Sequence, residues 1–90
     1  MEDLLLYSDG ATKVVSPSND SDYSLEELQE FVGGYIEIVR LGGNKMMVIN
    51  EEGKIHNLPL NIKATSIIQL KGRNDVIVGN ALVCSIDKIK

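Results

Sequence analysis

The sequence predicts a single α+β domain: a strongly bent antiparallel sheet of five to seven short strands, with one main helix and one short helix packed on it. Three neighbouring stretches carry that expectation. Ser24-Leu25-Glu26-Glu27 places a hydroxyl at a helix N-cap and a glutamate three residues on, so that two orphan backbone N–H groups are satisfied reciprocally. Tyr35 to Leu41 and Lys45 to Asn50 are rich in β-branched and large apolar residues. The Gly42-Gly43-Asn44 between them accepts positive φ and closes an antiparallel hairpin. Gly33 and Gly34 join helix to hairpin, the first closing the helix in the left-handed region and the second letting the chain turn into a strand.

Taken in order, Leu4 to Tyr7 and Ala11 to Val15 read as two short strands joined by a tight Ser8-Asp9-Gly10 turn. Residues 16–22 contain no apolar side chain other than Pro17, so they are expected to form a mobile surface loop. In the helix from Ser24 to Val32, Leu25, Leu28, Phe31 and Val32 recur at helical spacing on the expected inner face, with Phe31 as a buried aromatic. After the hairpin, Glu51-Glu52-Gly53 reads as a turn and Lys54 to Leu58 as a short strand ended by Pro59. Asn61 is placed to cap a short helix from Ile62 to about Leu70, with Ala64, Ile67 and Ile68 inward. A strand competes there, because Thr65, Ile67 and Ile68 are β-branched. Asp75 to Ile86 is the most apolar stretch, and Gly79-Asn80 makes it either a tight hairpin or one strand bent by a bulge.

Ninety residues make one domain, 1–90, with one core that buries roughly 60% of the unfolded chain's surface. It divides into an N-terminal hairpin at 1–16, the loop at 16–23 and a helix–hairpin core at 24–86. No apolar run approaches the ~20 residues that span a bilayer. The acidic Met1-Glu2-Asp3 is unlike a secretory signal, and the single Cys84 fits a reducing compartment, so a cytoplasmic location in a bacterial host is expected. A net charge of -4 argues against general nucleic-acid binding, which needs clustered Lys and Arg.

Phe31-Val32-Gly33-Gly34-Tyr35-Ile36-Glu37, Asn50-Glu51-Glu52-Gly53, Asn61 with Ala64, and Asp75-Val76-Ile77-Val78-Gly79 together resemble the domain-of-unknown-function family numbered 3846, small proteins of bacteria, phages and mobile elements. The resemblance runs from Leu25 to Val83 and does not include the N-terminal hairpin. It implies a phage or mobile-element setting, with host takeover or counter-defence as the process, and supplies no chemistry.

No motif asks for a metal or a cofactor, and the chain is expected to be non-catalytic. Asn50, Glu51 and Glu52 place an amide and two carboxylates at a hairpin end, a candidate ligand- or partner-binding site, though a plain polar turn explains them. Asn61 with Lys63 or Lys71 offers helix-end N–H groups and a cation to an anion, against the simpler reading of an N-cap. His56, Cys84 and Asp75 have the types of a nucleophile, base and orienting group, with no spacing that brings them together. Met46 and Met47 must point to opposite faces of their strand. Either both faces are covered in a layered fold, or one methionine forms an interface, with a homodimer as the commonest solution. The leading expectation is a binding protein that sequesters a host protein or a small ligand such as a signalling nucleotide. A self-associating assembly protein is the alternative, and a small hydrolase comes last.

Overall fold

The computed structural model describes residues 3–89, which form one five-stranded antiparallel sheet and two α-helices. The order along the chain is β1 (Asp3–Leu6), β2 (Thr12–Val15), α1 (Leu25–Val32), β3 (Ile36–Gly42), β4 (Lys45–Asn50), α2 (Ile62–Leu70), β5 (Ala81–Ser85) and a 3-10 turn at Ile86–Lys88. In space the strands run β2-β1-β5-β4-β3. The last strand is thus inserted between the two hairpins, pairing with β1 on one side and β4 on the other. An isolated two-stranded hairpin is marginal in water, and β5 is what merges the two into a single sheet.

Side-chain alternation along the central strands sorts the core into two layers. Leu5, Met46, Val48, Leu82 and Cys84 meet Leu28 and Val32 of α1 on one face. Leu6, Met47 and Ala81 meet Ala64 and Ile68 of α2, with Ile77, on the other. Of the two alternatives for the methionine strand, the layered fold is the one observed: Met46 is 2% exposed and Met47 0%. Neither methionine is an interface residue, because each already lies under a helix of its own chain.

α1 carries the expected capping box, Ser24 Oγ accepting from the Glu27 N–H at 3.1 Å and the Glu27 carboxylate from the Ser24 N–H at 2.8 Å. Two turns of helix bring only Leu28 and Val32 fully into the core. Leu25 is exposed, and Phe31 is half-buried, set edge-on to Tyr23 with ring centroids 5.8 Å apart. The aromatic that anchors this layer is instead Tyr23, 1% exposed, whose hydroxyl donates to the buried Asp3 carboxylate at 2.6 Å. Tyr23 belongs to the connection expected to be mobile. That connection is pinned to α1 by the Ser18 N–H on the Glu27 carboxylate, and is turned by Asn19 Oδ1 accepting from the N–H groups of Ser21 and Asp22.

Between β3 and β4, Gly42 and Gly43 take φ of 92° and 59°, where a side chain would be strained, and the ladder shifts register between Arg40 and Gly42. Lys54 to Leu58 is not a strand. Residues 51–57 coil through successive turns, with the His56 N–H on the Glu52 carbonyl and the Leu58 N–H on the Gly53 carbonyl. Ile55, 76% exposed, gives this piece no face to bury. The helix reading of the Asn61 segment holds, and at nine residues α2 is one longer than α1. Only Ala81–Ser85 of the apolar stretch joins the sheet. Residues 75–78 run outside it against α2, with the Ile77 N–H on Thr65 Oγ1 and the Asn61 N–H on the Ile77 carbonyl. Gly79-Asn80 is therefore neither hairpin nor bulge but the bend between α2's flank and β5.

Candidate functional site

The polar turn after β4 separates its three residues. Asn50 is 7% exposed; its Nδ2 donates to the Val32 carbonyl at 3.1 Å and its Oδ1 accepts from the Glu52 N–H at 2.8 Å. Its role is to hold the end of α1 against the turn. Glu51 lines a cleft of about 140 Å³ on the α2 side, together with Glu37, Lys54, Arg73 and Asp75. Glu52 lines a different, 230 Å³ hollow with Tyr35 and His56. The two carboxylates diverge and share no cavity. Among the described residues no group of three or more His, Cys, Asp or Glu is arranged to hold a metal ion.

Asn61 is 1% exposed and its amide is saturated. Nδ2 donates to the carbonyls of Leu6 at 3.0 Å and Gly79 at 2.9 Å, while Oδ1 accepts from the Ala64 N–H at 3.0 Å. An anion has no access to it. Lys63 donates to the Gly10 carbonyl at 2.7 Å, tying α2 to the β1–β2 turn. Asn61 thus acts as the N-cap that was the simpler alternative, and both side chains are engaged as internal ties.

His56, Cys84 and Asp75 are not brought together. His56 sits in the exposed turn, 3.6 Å from the Glu52 carboxylate. Cys84 is wholly buried under α1, and desolvation together with the nearby Asp3 carboxylate pushes its thiol up to about 11. Asp75 is ion-paired with Lys54 at 2.6 Å, and that hydrogen bond, with the Val76 N–H, holds its carboxyl below the usual range.

A hollow larger than these two lies where motif reading does not reach. α1 packs over the middle of the sheet and leaves the α1-side face of β3 partly bare. Ile36 and Ile38, two residues apart and so on the same face, form with Leu25 and Leu28 a groove of about 650 Å³ that continues to Tyr23, Asp22 and Ile89. Leu25 is 55% exposed and Ile38 43%. β3 is also an edge of the sheet; among the described residues β4 is its only strand partner. Its outer row of N–H and C=O groups therefore runs beside an apolar trough. The Ile36-Glu37-Ile38 alternation is the one trace of this in the sequence, and edge position is not written there.

The family model for Domain of unknown function (DUF3846) matches residues 1–90. The chain belongs to this family. The match takes in the N-terminal hairpin as well, so DUF3846 extends beyond the Leu25 to Val83 span on which the resemblance rested. No curated protein and no solved structure matches the chain.

Proposed function

We propose that this DUF3846 protein is a non-catalytic binding protein that sequesters a partner protein by accepting one of its segments as an added strand on β3. The observation that carries this reading is the coincidence of a seven-residue edge strand, paired on one side only among the described residues, with the apolar groove of Leu25, Leu28, Ile36 and Ile38 beside it. Main-chain hydrogen bonds along such an edge supply affinity, and alternate side chains dropping into a groove supply selection. An unprotected edge with apolar neighbours is otherwise an aggregation hazard. The phage and mobile-element setting implied by the family resemblance makes a host protein the class of partner, in host takeover or counter-defence. The small-ligand version has less support, since Asn61 and Lys63 are engaged internally.

The test is retention of host proteins by immobilised native chain against Leu25→Glu and Ile38→Glu, both exposed positions whose substitution leaves the core intact. The expected result is a partner held by the native chain and released by both variants, with unchanged circular dichroism. Equal retention by all three overturns the reading.

A further inference from the structure

The groove has a pronounced charge asymmetry around it. From Val14 to Val39 the chain contains six carboxylates, Asp20, Asp22, Glu26, Glu27, Glu30 and Glu37, and no Lys or Arg. This stretch builds the loop, the helix and the first half of β3 that bound the groove. Asp22 lines the groove itself, and Asp20 and Glu26, next in sequence to the lining residues Asn19 and Leu25, are exposed. Glu27 is spent on the capping box and on Ser18. Glu37 is exposed on the opposite face of β3, between Ile36 and Ile38. The first cation of β3 is Arg40, two residues beyond Ile38 on the same face, where it marks the end of the acidic stretch.

Resting on the strand-addition reading, we infer that the occupant is a basic, apolar-alternating segment of another protein. Two apolar side chains at alternate positions lie against Ile36 and Ile38. A lysine or arginine between them falls on the other face, opposite Glu37, and a cation two positions outside the apolar pair returns to the groove face, toward Asp22 and the acidic loop. Opposite charges directly across an antiparallel pair stabilise it and like charges destabilise it, so the acidic wall selects by repulsion as well as attraction. The same wall disfavours the other occupants. A second copy paired edge to edge would bring two acidic loops and helices together, and a nucleic acid would bring phosphates to carboxylates.

The experiment uses the full chain and three synthetic strand-length peptides, followed by amide NMR. The first has valine at two alternate central positions with lysine between them and two positions outside each, so that cations lie on both faces; the second has glutamate in place of lysine; the third is a scramble of the first with the alternation broken. The lysine peptide is expected to shift the amides of Ile36 to Leu41 and to bind roughly tenfold or more tightly than the glutamate peptide, with a gap that narrows at high salt. The same narrowing is expected in Asp20→Asn with Glu26→Gln, two exposed positions whose replacements keep the turn and helix propensities. The scramble should bind weakly. Equal binding of lysine and glutamate peptides overturns the charge inference while leaving strand addition standing. Shifts confined to β2 or to α2 overturn it as well, and no shift with any peptide brings down both the inference and the reading beneath it.

Discussion

Asn50 Nδ2 donates to the main-chain carbonyl of Val32 at 3.1 Å, linking the end of β4 to the last residue of α1. A Cβ at Gly34 would stand 3.0 Å from that same nitrogen, so a side chain here would press on the amide, whereas the φ of Gly34 does not itself call for glycine. Asn50→Ala is expected to leave a buried carbonyl unpaired and to cost about 1–3 kcal/mol. Gly34→Ala should destabilise the native protein and do much less harm in the Asn50→Ala background. Urea unfolding of the double-mutant cycle checks this, and strict additivity would show that the two residues are not coupled.

Asn61 holds three elements with one amide, capping α2 while donating to Leu6 of β1 and to Gly79 before β5. Its replacement by alanine removes a cap and strands two buried carbonyls, an expected loss of at least ~2 kcal/mol. Lys63→Ala, which removes only an exposed tie to Gly10, should fall within ~0.5 kcal/mol of native. Comparable losses from the two would contradict the structural assignment of Asn61.

Met46 and Met47 test the layered core. With the two side chains 2% and 0% exposed on opposite faces, glutamate at either position buries an uncompensated charge. Both variants should be unfolded or severely destabilised by circular dichroism. A well-folded variant at either site would mean that its helix does not cover that face.

Cys84 gives a pH dependence whose sign follows from burial. Its thiol is raised from an ordinary value near 9 to about 11 in the folded chain, so the unfolded chain releases its proton first as pH rises. Its contribution is complete below pH ~9 and is lost progressively up to pH ~11, amounting to about 3 kcal/mol. Urea midpoints between pH 8 and 11 should fall more steeply for native protein than for Cys84→Ala. The Tyr23 phenol, raised by burial and by its bond to Asp3, acts in both proteins and differs between them only through the smaller part of its rise that Cys84 itself causes. Parallel curves would rule out Cys84 as the source.

The local elements of this protein were legible in the residues themselves. The capping box at Ser24 and Glu27, the glycines of the β3–β4 turn and the Asn61 cap are short-range chemistry, settled by side chains within a few positions of the backbone groups they satisfy. Tertiary packing decided the rest. Nothing near Tyr23 announces that its hydroxyl will reach Asp3, and nothing near Asn50 or Asn61 distinguishes a free amide from one saturated by carbonyls 18 and 55 residues away. The strand expected at Lys54 to Leu58 failed because β propensity needs a surface to bury against, and Ile55 found none. Apolar content told that Met46 and Met47 were both buried or bound; only the placement of α1 and α2 on opposite faces decided which. Edge position is likewise a property of strand order. It was the insertion of β5 between β1 and β4 that left β3 outermost, with Ile38 bare and the acidic stretch around it.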